Sequence, residues 1–147
     1  MKLKRAVLTA FAVFTLPLFA GGFYLNVKPA SAVPEAHAGP AALVAMLSGC
    51  HQAEKGRLTA TAEGLVKGKR QTLPLKVTVL DKPGWFAVEK QWPDSGRWVV
   101  VLSATHPAFP VATTTAVPII ENAPQFSQAK YENRRPLEKA EVEALLR

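Results

Sequence analysis

Cysteine is all but missing from this chain. Cys50 stands alone among 147 residues, so no disulfide can form within one molecule and the fold must be held by packing. A lone thiol in an oxidising compartment is buried, joined to another chain, or used chemically. Aspartate is scarce too: Asp81 and Asp94 are the only two. Both occupy turn-like stretches, where Asp is favoured for its local backbone bonds. There is no Gly-x-Ser-x-Gly, and no histidine is followed by a convincing carboxylate set. The usual layouts of a nucleophile with a positioned base are therefore missing. Glu63 and Glu89 could face each other, but nothing sets them in a pocket. No catalytic residue and no cofactor is assigned, and enzymatic activity is not expected.

Acids are also missing from the first 32 positions, where Lys2, Lys4, Arg5 and Lys28 lie. Beyond Ala32, 14 basic residues face 11 acidic ones, a balance of about +3 that is too mild to argue for nucleic acid. Lys67, Lys69 and Arg70 cluster around Gly68 and read as a solvated turn.

The amino terminus reads as a targeting segment. Met1-Lys2-Leu3-Lys4-Arg5 is a basic start, Ala6 to Val27 carries no charge, and Ala30-Ser31-Ala32 offers the small-x-small pattern of a signal-peptidase site, with Val33 as first mature residue. The uncharged run of 22 residues could span a bilayer, although Pro17 and Gly21-Gly22 interrupt it. Residues 1–32 are thus expected to be a cleaved signal peptide, with a retained helical anchor through residues 6–27 as the alternative. Either places the remainder outside the cytoplasm, periplasmic or secreted, or held at the inner membrane, because the basic start stays inside.

The densest patterning lies between Gln71 and His106. Leu73, Leu75, Val77 and Val79 alternate with Thr72, Pro74, Lys76 and Thr78, the two-residue period of a half-buried strand. Pro74 cannot donate to a ladder, which predicts an edge position or a strand start. Asp81-Lys82-Pro83-Gly84 suits a type II turn, with Gly taking the positive φ. Trp85 to Trp92 follows, with Phe86, Val88 and Trp92 on one face and Trp85, Ala87 and Glu89 on the other. Pro93-Asp94-Ser95-Gly96 turns the chain again. Arg97 to Ala104 then places Trp98, Val100, Leu102 and Ala104 opposite Val99 and Val101. Apolar residues on both faces predict a central strand.

Residues 33–40 (VPEAHAGP) read as a linker. Ala41 to Gly49 is an apolar run bracketed by Gly-Pro and Ser-Gly and reads as a strand. Arg57 to Val66 alternates clearly, and Gly64 or Gly68 is expected to mark a bulge or turn. His106 to Pro110 reads as a loop because of its two prolines, and Val111 to Ile120 as a Thr-rich sixth strand. Residues 121–147 read as a polar tail ending in a short helix from Pro136, without a clean apolar stripe and so weakly docked. Six strands at about ten-residue spacing predict an all-β fold, an antiparallel β-sandwich of six to seven strands occupying residues 41–120.

One stretch carries a resemblance. Pro83-Gly84-Trp85-Phe86-Ala87-Val88, a turn, then Gly96-Arg97-Trp98-Val99-Val100-Val101-Leu102 resembles the hairpin of extracytoplasmic immunoglobulin-like domains. It is similar to the YtkA-like and FixH-like domains of bacteria. The resemblance covers about Gln71 to Ala104 and implies an immunoglobulin-like sandwich outside the cytoplasm; the FixH-like group adds an association with oxidase assembly and copper. The chain departs from copper-handling relatives in lacking a Met-rich or multi-His segment.

Three candidate sites remain. Cys50, His51 and His106, with His37 as a further member, offer sulfur and imidazole that suit copper or zinc, although adjacent Cys50 and His51 on a strand would point to opposite faces. Leu47-Ser48-Gly49-Cys50 fits a lipobox, but Lys28, Glu35 and several prolines separate it from the leader. Trp85 and Trp92 could form an aromatic platform for a sugar or a partner. The expected function is a non-catalytic extracytoplasmic interaction or accessory domain with a protein partner and no nucleic acid. The alternative is a metal-handling, copper or respiratory-oxidase assembly accessory protein.

Overall fold

The computed structural model describes residues 22–37, 39–49 and 52–147. Ten strands are found among them: β1 (Phe23–Pro29), β2 (Ala41–Gly49), β3 (Arg57–Val66), β4 (Lys69–Pro74), β5 (Val77–Val79), β6 (Trp85–Glu89), β7 (Arg97–His106), β8 (Phe109–Ile120), β9 (Ala123–Pro124) and β10 (Lys130–Glu132). They form two antiparallel sheets, β1-β2-β6-β5 and β10-β8-β7-β3-β4, with β9 paired to β8. The two sheets bury one shared core. Leu25, Leu43, Ala45, Phe86 and Val88 from the first meet Ala60, Ala62, Trp98, Val100, Leu102 and Val117 from the second. This is a β-sandwich, and the period-two alternation of β3, β6 and β7 selects the faces the sequence predicts. The expected spans of β2 and β3 hold residue for residue.

The stretch Gln71 to Val79 is not one strand. Pro74 ends β4 on the edge of the second sheet, the Leu75 N–H donates to the Ala60 carbonyl at 2.9 Å, and the chain then crosses to the first sheet as β5. Leu73, Leu75 and Val77 keep the same apolar parity across the crossing, because the inner faces of the two sheets look at each other, whereas Val79, expected with them, is 69% exposed at the end of edge strand β5. The next turn is as expected: the Trp85 N–H returns to the Lys82 carbonyl at 3.1 Å, and Gly84 takes φ 76°. The turn after β6 is not a hairpin. It carries the chain from β6 in the first sheet to β7 in the second, and buried Trp92 fills the core along the way. At the other end of β7, His106 pairs with Phe109. The expected loop therefore shrinks to a turn at Pro107-Ala108, and Pro110 lies inside β8.

Both ends of the described chain join the fold. Residues 23–27, expected in the leader, belong to β1, which pairs with β2 from Phe23 against Gly49 to Pro29 against Leu43. Phe23 and Leu25 are core residues, each contributing roughly 1.5–3 kcal/mol by burial. The buried Thr113 and Thr115 hydroxyls of β8 donate to the Phe23 and Leu25 carbonyls at 3.0 and 3.2 Å, tying the two sheets along this edge. Residues 33–40 are likewise not a bare linker. A 3-10 turn at Ala30–Ala32 and the short helix α1 (Pro34–His37) lay Ala30, Val33 and Ala36 over Val44 and Ala87 on the outer face of the first sheet. The rest of the predicted leader, residues 1–21, lies outside the described residues. No helix among the described residues is long and apolar enough to cross a membrane.

The expected polar tail also packs. β10 extends the second sheet beside β8, and α2 (Lys139–Leu145) covers its outer face, burying Val142 and Leu146 against Val99 and Ala116. Glu141 fastens this helix. Its carboxylate accepts from Arg135 at 2.7 and 2.9 Å, from the Lys130 ammonium, and from the Glu138 N–H at 2.8 Å in a capping box. Those hydrogen bonds, Arg135 first, hold the Glu141 carboxyl well below the usual carboxylate range.

Gly64 lies opposite Trp98 in the β3–β7 ladder, and a Cβ there would come within 2.3 Å of the indole ring. It is a seat for that ring. Gly68 is the turn residue, at φ 75°. Trp98→Ala should cost roughly 3–5 kcal/mol in denaturant unfolding, and Gly64→Ala roughly 1–3 kcal/mol by overpacking. The Gly64 penalty should vanish in the Trp98→Ala background; equal penalties in both backgrounds would mean the ring is not what Gly64 accommodates. For α2, a depressed folded-state pKa stabilises docking above the ordinary carboxylate pKa near 4.5 and ceases to do so as pH falls toward the depressed value. Hydrogen exchange should show α2 loosening at acid pH in the native chain, and already loosened at neutral pH in Glu141→Gln.

Candidate functional site

The predicted sulfur–imidazole set is only partly visible. Cys50 and His51 lie outside the described residues. His37 closes α1, and nothing is described of its side chain. His106 is buried, and both ring nitrogens are engaged: Nε2 with the Gln52 carbonyl at 2.9 Å, Nδ1 with the Ala108 N–H at 3.0 Å. Since Nδ1 accepts, Nε2 carries the proton and donates. The ring packs with Phe23 and Phe109 at centroid distances of 5.2 and 5.5 Å. In this arrangement His106 fastens the 52–56 segment to the β7–β8 turn, and binding a metal would cost it one of these hydrogen bonds. Among the described residues no group of three His, Cys, Asp or Glu could hold a metal ion. The lipobox residues Leu47, Ser48 and Gly49 are the end of β2, with Leu47 in the core.

Glu63 and Glu89 do not face each other. They stand on different sheets, Glu63 engaged with Arg70 and Thr72, Glu89 with Lys76 at 2.7 Å. The two aspartates are turn residues, as expected. Asp94 is bonded to Lys90 and Asn122, each at 2.5 Å, and these bonds pull its pKa down.

The two candidate platform tryptophans separate. Trp92 is buried, 3% exposed, and belongs to the core. Trp85 lies on the outer face of the first sheet and is only partly buried. Its register explains its surroundings: Asn26 opposes Met46, Met46 opposes Trp85, and the Leu80 N–H donates to the Trp85 carbonyl. Met46, Trp85 and Leu80 are therefore a partly buried apolar row where the cover of Ala30, Val33 and Ala36 runs out. Tyr24 and Ser48 continue the face at its edge, Tyr24 47% exposed.

Two cations belong to this row. The Lys28 and Lys82 ammonium groups lie 4.0 and 3.9 Å from the Trp85 ring centroid. Each contact contributes about 0.5–1 kcal/mol at an exposed site. The two ammonium groups can be no more than about 8 Å apart, since both sit on one ring, which is within a Debye length at physiological salt. They repel each other, and an anionic group arriving beside either one relieves that repulsion while the aromatic row offers apolar contact. Lys82 was legible only as a turn residue and Lys28 only as part of the leader; strand register brings them to Trp85.

A recess of about 480 Å³ lies at the opposite end, between α2 and the second sheet, lined by Arg97, Trp98, Ile119 and Leu146 among others. Arg97 is committed there to the Leu146 and Arg147 carbonyls, which makes the recess part of the seam that docks α2.

No family model, no curated protein and no solved structure matches this chain. The likeness to YtkA-like and FixH-like domains thus has no support beyond the two-sheet architecture, since the stretch that resembled a hairpin runs from one sheet to the other.

Trp85 is the tryptophan with accessible ring surface, because Trp92 and Trp98 are 3% and 2% exposed. Iodide should quench one emission component and caesium much less, because the two lysines concentrate the anion. Trp85→Phe should abolish the quenchable component. Equal quenching by both ions would remove the electrostatic part of the site.

Proposed function

We propose that this protein is a non-catalytic, extracytoplasmic interaction or accessory domain built on an immunoglobulin-like sandwich. The strand orders β1-β2-β6-β5 and β8-β7-β3-β4 support the fold assignment, since they reproduce the A-B-E-D and G-F-C-C′ arrangement of that architecture. The basic start followed by an uncharged run supports export. The observation that carries the interaction reading is the Trp85 row with Lys28 and Lys82. It is a partly buried aromatic and aliphatic strip with two close cations, beside outer-face patches at Val44–Ala87 and Val99–Ala116 that α1 and α2 cover. The partner it fits is a protein segment bringing a carboxylate to the lysines and an apolar side chain to Trp85, the aromatic-anchored contact common at interfaces.

A photo-activatable phenylalanine placed at position 85 or 46 tests this in cells producing the protein. A discrete protein adduct should form from these positions and not from exposed Thr59 on the other sheet. Lys28→Glu with Lys82→Glu should reduce the adduct at least fivefold. No adduct at either position, or one indifferent to both charge reversals, would sink the reading. Stoichiometric copper on the purified protein, lost in His106→Ala, would instead favour the metal-handling alternative.

A further inference from the structure

The small-x-small site at Ala30-Ser31-Ala32 meets a structural objection. A cut after Ala32 would remove all of β1 and the buried Ala30. It would strip Phe23 and Leu25 from the core, leave the buried Thr113 and Thr115 hydroxyls without their acceptors, and expose the edge of β2. Val33 would then begin the chain, although it is 2% exposed and its N–H is bonded to the Ala30 carbonyl. A second small-x-small triplet, Ala20-Gly21-Gly22, ends one residue before β1. Ahead of it Ala6 to Phe19 is an uncharged run of 14 residues, a normal length for the apolar region of a signal peptide. The alternative of a retained anchor also weakens. With β1 beginning at Phe23, the uncharged run that precedes this strand in the sequence is the 17 residues from Ala6 to Gly22, the lower limit for a span, and it contains Pro17.

We propose that the leader is removed at the Gly22–Phe23 bond, so that the mature protein begins with β1. This rests on the export reading above. A membrane-bound signal endopeptidase hydrolyses that amide: water adds its hydroxyl to the Gly22 carbonyl carbon, the C–N bond breaks, and Phe23 leaves with a free amine. The small residues Ala20 and Gly22 occupy the two positions where such an enzyme accepts little else. Phe23 follows as the first residue of the ladder, opposite Gly49.

The test is the intact mass of the full chain expressed with a carboxyl-terminal tag in a bacterial host and purified from the envelope or medium. The expected species starts at Phe23. Ala20→Phe should leave the leader attached, while Ala32→Phe, at an exposed position, should leave the start at Phe23 unchanged. An exported protein starting at Val33, or at any other residue, overturns the proposed cut while leaving export intact. An uncut chain in the membrane fraction also overturns it, and an uncut chain in the cytosol removes the export reading as well. As a second arm, chains expressed directly from Phe23 and from Val33 should differ, only the longer one unfolding cooperatively; equal stability would overturn the argument from β1.

Discussion

Each sheet of this sandwich carries an apolar patch on its outer face as well as an apolar inner face, and that constraint shapes what is attached to them. Facing one another, the sheets can hide only their inner sides. Val44 and Ala87 look outward from the first sheet, Val99 and Ala116 from the second, and all four are buried. Something must lie over each pair, because exposed apolar surface is what folding removes. The cover on one side is the 3-10 turn and α1 that follow β1. On the other it is α2, held by the contacts of Glu141 with Arg135 and Lys130. Segments that look like accessories in the linear chain are thereby part of a four-layered body.

The Trp85 row is where this covering stops. The residues over the first sheet reach Val44 and Ala87 and leave Met46, Trp85 and Leu80 partly open. The ammonium groups of Lys28 and Lys82, each about 4 Å from the Trp85 ring, take the place of a helix there as a partial shield. Such a strip combines the two features that recognition uses, a desolvatable centre and a charge to orient the approach. The opposite recess differs in kind: its arginine is already committed to carbonyls of the chain end.

The seam between β1 and β8 answers to a second requirement. An edge strand presents bare carbonyls, and two buried threonines satisfy those of Phe23 and Leu25 from across the sandwich. The Thr-rich character of β8 was visible as β propensity alone, while its purpose depends on which strand lies next to it. His106 has a similar history. Its residue type was legible in the chain, while its bonds to the Gln52 carbonyl and the Ala108 N–H came only from the fold.

Alternation along β3, β6 and β7 was sufficient in the linear chain to define their faces, since side-chain direction in a strand follows from the backbone period and needs no knowledge of neighbours. The Pro-Gly turn before Trp85 was equally local, a matter of permitted φ. What periodicity cannot contain is which strand pairs with which. The split of Gln71 to Val79 between two sheets, the crossing from β6 to β7, and the recruitment of Phe23–Pro29 out of an apparently continuous apolar leader were all decided by the need to close two layers at once. An isolated apolar run looks the same whether it enters lipid or a protein core; only the presence of β2 and β8 beside it tells the two apart.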